Sequence, residues 1–463
     1  MSDKRTFTLA NCQIVDPASD TARTGNVVVE GATIRQVGKG SAGLRIECEG
    51  LVCAPGLVDL AAHLRQPGRE DAEIIETGTR AAAAGGYTAV CAMPTTIPTM
   101  DHAGIVEQVL RLSREAGHCD VLPVGAITKD LAGAELAEMG AMHAAGVRAF
   151  SDADHPVASS QVMRRALIYA QTWDAIIVNH PEDPTLTDGA QMHEGATSAT
   201  LGMPGAPREA EEIMVARDLL LAERVGARLH VPHLSTRRAV EMVRDAKARG
   251  VRVTADVTPH HLVLDDTVIA DYETRYKVTP PLRTQDDIAA LREGLQDGTI
   301  DAIASDHAPH PPDDKDTEWA VAPAGTVGLE TTLAVVLTEL TDADAAPDQR
   351  GTATLSLLEA LHLLSTGPAG ARDIPDHGRP LAPGEPANLV LFNPHTAWAV
   401  DPRVMQSRSR NSAFDGHKVR GRVVHTILRG RFTLSNGEVV GGVERGAPPP
   451  TGKHSTLNDG AVV

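Results

Sequence analysis

No apolar run in this sequence approaches the roughly 18 residues of a membrane-spanning helix, and its five cysteines form no CxxC pair. The first absence argues against a helical membrane protein. As for the second, Cys12, Cys48, Cys53, Cys91 and Cys119 sit mostly in apolar, strand-like runs. They read as buried free thiols in a reducing compartment, not as a disulfide framework. Positive charge is scarce: 43 Lys and Arg stand against 61 Asp and Glu, a net charge of −18. A nucleic-acid partner needs a basic footprint, so that class is disfavoured. Met1-Ser-Asp-Lys-Arg-Thr leads into no signal-type apolar core, and the cytoplasm is the expected location. No Gly-x-Gly-x-x-Gly follows the first central strand, which weakens a doubly wound nucleotide-binding fold.

What is present is an alternation. Eight short apolar segments, at 57–64, 87–93, 121–127, 147–151, 175–179, 228–233, 251–257 and 300–305, read as strands. Amphipathic helical patterns at 72–84, 105–115, 161–171, 208–224, 236–249 and 286–296 lie between them. Gly85-Gly86, Gly146, Gly226 and Gly250 stand where such helices should stop. The pattern predicts an α/β fold: a (β/α)8 barrel over 55–380 with its chemistry at the C-terminal strand ends. Val- and Ile-rich runs with turn residues fill both ends of the chain, and Asn436-Gly437 is a hairpin signal. A small β domain built from 1–54 and 381–445 is therefore expected, followed by a proline-rich tail at 446–463.

Polar residues close the strand candidates. His63 ends the first, His180 the fifth, His233 the sixth and Asp306 the eighth. Nitrogen ligands from separate strands converging with a carboxylate suit zinc. His260 and His261 also follow a strand and read mainly as structural. A two-metal, water-activating site usually begins with His-x-His, but here the first position is Ala61, which has no lone pair to give.

The chain resembles the type I dihydroorotases of the cyclic amidohydrolase superfamily over nearly its whole length. The likeness runs through His63-Leu-Arg-Gln-Pro-Gly-Arg, Ala149-Phe-Ser-Asp, His180-Pro-Glu-Asp-Pro, Tyr276-Lys-Val-Thr-Pro-Pro and Ser305-Asp-His-Ala-Pro-His, among other blocks. The resemblance implies a metal-bound hydroxide attacking a ring amide carbonyl, with Asp306 as the proton-transferring base. It also marks losses. Ala61 replaces one histidine, and Ala153 falls at the bridging carboxylate, in Ser151-Asp152-Ala153-Asp154. The residual ligands would be His63, His180, His233 and Asp306. Of the contacts to a substrate carboxylate, Arg65 and His310 are kept, while Thr95 and Thr279 stand at asparagine positions. A threonine hydroxyl is shorter and lacks the NH2 donor. The expectation is a degenerate, non-catalytic relative in pyrimidine biosynthesis. It would hold at most one weakly bound zinc, or none, and by resemblance would partner aspartate carbamoyltransferase in an oligomer. The alternative is an active zinc-dependent dihydroorotase, or a related cyclic amide hydrolase, using a mononuclear site in which Asp154 is turned inward by a bulge.

Overall fold

A computed structural model describes residues 5–341 and 355–441; the expected tail lies outside them. Eight parallel strands make the barrel: Leu57–Ala62, Tyr87–Ala92, Asp120–Pro123, Ala149–Ser151, Ile176–Val178, Arg228–Val231, Val253–Val257 and Ala302–Ile303. The first three form one ladder and the last five another. Parallel bridges between Gly125 and Phe150 and between Ala62 and His307 close the two into a ring. The fold class expected from the alternation is therefore present. The observed strands mostly fall within the apolar runs: the first, second and sixth stop short at the C-terminal end, while the fourth and seventh begin two residues later and end with the run.

The helices follow the sequence pattern closely. Ser160–Gln171, Glu209–Val225, Arg237–Ala248 and Gln285–Gln296 are four of them, and each turns an apolar side to the barrel. Glu209–Val225 stops at Gly226, whose φ of 75° is the left-handed cap that glycine takes without strain. The side chains pointing into the ring, including Val58, Leu60, Ala89, Cys91, Val124, Ile176 and Ala302, fill its interior. A barrel of this kind is a packed core with no pore.

Both ends of the chain build one nine-stranded sheet beside the barrel. Its seam is the antiparallel pairing of Leu389–Phe392 with Val52–Pro55, so the far end of the chain lies against the residues that lead into the first barrel strand. Asn436 and Gly437, at φ 51° and 79°, form the two-residue turn between Arg431–Ser435 and Glu438–Val439, as their sequence predicts. The five cysteines are buried and free. Among the described residues no helix is long and apolar enough to cross a membrane.

Asp120 couples the two parts. It accepts from both terminal nitrogens of Arg429 at 2.9 and 2.5 Å, and from His377 Nε2 at 2.8 Å. Burial alone would raise this carboxyl, but His377 and Arg429 outweigh it and hold it at about 2. A depressed carboxyl stabilises the fold above its unfolded value near 3.9, and that stability is lost as pH falls through the folded value. Asp120→Asn should therefore cost about 2 kcal/mol in urea unfolding near neutral pH. The gap to the parent should close between about pH 4 and pH 2; a gap that persists there would refute the assignment.

Candidate functional site

The C-terminal strand ends bring together most of the residues that the sequence singles out. His63 is buried just past the first strand, with Nδ1 2.7 Å from Thr95 Oγ1 and Nε2 4.0 Å from Asp154 Oδ2. Burial drives its pKa down to about 3, so the ring is neutral and can offer a lone pair. Arg65 and His310 face each other, Nη2 to Nε2, at 3.4 Å, with Arg65 Nε donating to the Pro309 carbonyl. His180 Nε2 lies 3.4 Å from Glu182 Oε2, and its Nδ1 is buried without a hydrogen-bond partner. Thr279 Oγ1 is 3.4 Å from the same Glu182 oxygen.

Across the barrel, His233 and Asp306 form a second group. Their Nε2 and Oδ1 are 3.6 Å apart. Asp256 on the seventh strand fixes this histidine: one oxygen accepts from the His233 backbone N–H at 2.8 Å and lies 3.0 Å from ring Nδ1. Its other oxygen is 2.8 Å from His230 Nε2. A buried carboxylate behind an imidazole sets the tautomer and aims the opposite nitrogen. Burial works against a charge on His233, yet Asp256 and Asp306 raise its pKa to about 9. Burial raises the Asp306 carboxyl to about 7 against the pull of His233.

The two positions expected to have lost ligands are apolar. Ala61 and Ala153 are buried among the barrel-lining side chains. Asp152 is no substitute, because it accepts from the backbone N–H groups of Ile127 and Thr128 at 2.8 and 2.9 Å and from the Thr128 hydroxyl. Asp154 behaves differently. The fourth strand ends at Ser151, and Ala153 takes a left-handed φ of 53°, its N–H donating to Ser151 Oγ at 3.0 Å. Alternation along a strand no longer applies there, and the turn aims the next side chain at the site. The Asp154 carboxylate stays 41% exposed at the mouth of the barrel. Burial there would raise its pKa, but His63, His180, Arg65 and His233 hold it below the usual carboxylate range.

Two oxygen donors and three imidazoles around one opening have the chemistry for a single zinc, and the partnerless Nδ1 of His180 leaves a nitrogen free for it. Methyl groups, which donate nothing to a metal, stand at 61 and 153, two positions expected to have held ligands. Among the described residues no group of three or more such side chains is already arranged to hold an ion, so the donors must draw inward to bind one.

Comparison with known proteins decides the lineage. A protein named "Dihydroorotase" from Streptomyces coelicolor is 51% identical over 419 residues, covering 89% of this chain and 96% of its own. The chain belongs to the dihydroorotase family. A family model described as "Dihydro-orotase-like" matches residues 50–239. Another "Dihydroorotase", from Mycobacterium tuberculosis, is 47% identical over 85% of this chain and 90% of its own. Among solved structures, the L-hydantoinase (dihydropyrimidinase) of Arthrobacter aurescens superposes with a TM-score of 0.81 at 26% identity, covering 94% and 97% of the two chains. In this dihydroorotase-family chain the sheet built from both ends sits beside the barrel.

Some residues at the site carried no signal of their own in the sequence. Glu182 and Asp256 hold their histidines through contacts that exist only after the barrel closes. His261 is structural as expected, with Nδ1 2.8 Å from Thr258 Oγ1 and Nε2 2.9 Å from the Pro280 carbonyl oxygen. The buried Nε2 of His260 has no hydrogen-bond partner among the described residues and lies 3.9 Å from Asp306 Oδ2, at the site's edge. Thr95, expected only as a weakened substrate contact, also orients His63.

Proposed function

We propose that this chain is a cyclic-amide hydrolase of the dihydroorotase kind, acting in pyrimidine biosynthesis through a reduced, single-zinc site. The observation that carries this reading is the Asp154 carboxylate, placed among His63, His180 and Arg65 beside the methyl of Ala153. The naming of its relatives as dihydroorotases supports the substrate class, dihydroorotate and N-carbamoyl-aspartate. His180, His233, Asp306 and Asp154 are the side chains that would hold the ion. When bound, it would make hydroxide available near neutral pH. Arg65, with His310 beside it, meets the substrate carboxylate. Asp306 would take the proton of the attacking water and deliver it to the ring nitrogen that leaves. Asp256 keeps His233 in register while this happens.

Protein purified without chelator should retain no more than one zinc per chain and hydrolyse dihydroorotate slowly, with chelation ending the turnover. Two zinc equivalents by elemental analysis would overturn the reduced site. Ala61→His alone should restore neither a second ion nor fast turnover, since position 153 still offers no carboxylate. The apolar lining at Ala61 and Ala153 is also compatible with a second reading, whose partner rests on family resemblance alone. Under it the chain is a non-catalytic partner of aspartate carbamoyltransferase. Metal-free, inactive protein that co-elutes with that enzyme after co-expression would establish it.

A further inference from the structure

Opposite the strand-end site, the floor of the barrel holds a guanidinium that makes no ion pair among the described residues. The short helix Gly367–Ala371 plugs this end, with Ala369, Ala371 and Ile374 packed on barrel-lining residues. The next residue, Arg372, is 4% exposed, and its Nε and Nη1 are buried without a hydrogen-bond partner. The nearby acids are committed elsewhere. Asp373 is paired with Arg228, and Asp256 is shared between His230 and His233. Burial pushes the Cys91 thiol up to about 12, so it stays neutral and gives the guanidinium no anion. Planar guanidinium donors match a carboxylate two bonds at a time.

Arg372 lines a cavity of about 140 Å³ whose other walls include Cys91, Leu110, Val121, Val124 and Ala149. Gly146 and Arg148, also in its wall, are exposed, so the cavity reaches the surface. A cavity of about 150 Å³ accepts a benzene ring. We propose that this is a binding site for a small monocarboxylate, its apolar body in the cavity and its carboxylate on Arg372. It is separate from the strand-end site, and it opens at the face of the barrel away from the chemistry.

Benzoate is the probe, followed by calorimetry and by thermal unfolding of the full chain. Wild-type protein should bind it and melt higher by a few degrees, while benzyl alcohol, equal in shape but uncharged, should do neither. Arg372→Met should weaken benzoate by at least about tenfold. Leu110→Phe fills the cavity while leaving both Arg372 and Arg65 in place, and should weaken it as much. This second variant keeps the test decisive if Arg372→Met fails to fold, and it separates the cavity from carboxylate capture at Arg65. Absence of binding at about 10 mM benzoate, the weakest affinity expected for a ligand of this size, would overturn the site. Equal binding by benzyl alcohol, or undiminished binding in Leu110→Phe, would do the same.

Discussion

Asp154→Asn should empty the site of metal and lower dihydroorotate turnover by more than about a hundredfold, since losing a ligand should cost more than the roughly 10- to 100-fold of losing one of a ligand's outer partners. The amide keeps the shape of the side chain and removes only its charge. In this chain that charge is the negative group facing His63, His180 and Arg65 together. Stability should hardly change, because the side chain is 41% exposed and accepts no hydrogen bond that folds the loop. Zinc content by elemental analysis and the visible spectrum of a cobalt-loaded sample read the loss without relying on activity. Unchanged metal content in the variant would show that Asp154 is only an electrostatic neighbour. The retained ion would then belong to His180, His233 and Asp306 alone. Asp152→Asn makes the contrast, since Asp152 spends its oxygens on Ile127 and Thr128 and should affect stability before metal.

The fold was legible because its signals are local and repeated. Each barrel strand is an apolar run, the helices have one apolar side, and glycine stops such as Gly226 and Gly250 take the positive φ that their position demands. The turn at Asn436-Gly437 was readable for the same reason. At the site, the gathering of His63, His180, His233 and Asp306 at the strand ends was legible, while an inward-turned Asp154 was open only as an alternative that needed a bulge. Strand alternation points residue 154 away from residue 153, and the rule fails because the strand has already ended at Ser151. The left-handed conformations of Arg65, Ala153, His233 and Asp306 are set by the closed barrel, since no local pattern asks a non-glycine residue to adopt them. The Arg372 floor is a further case. Its unpaired state depends on which acids the fold has already assigned to other partners, and no stretch of sequence records that.

The same dependence on the closed fold makes Asp256 the most sensitive position behind the site. Its two oxygens serve His233, twice, and His230, and all three residues are buried. Asp256→Ala leaves two imidazoles and a backbone N–H in a dry interior with their acceptor gone. Breaking a buried charged network on one side typically costs about 3–5 kcal/mol, and a loss of that size is expected in urea unfolding. Asp256→Asn should lose less, because the carboxamide oxygen can still accept from the His233 backbone while the NH2 group faces an imidazole that previously met an anion. Turnover should fall in both variants by about 10- to 100-fold, since His233 Nε2 is aimed at Asp306 only while Nδ1 is held from behind. A fully stable Asp256→Ala protein would mean that water replaces the carboxylate at no cost. The histidine pair would then be positioned by packing alone, and Asp256 would have no part in shaping the site.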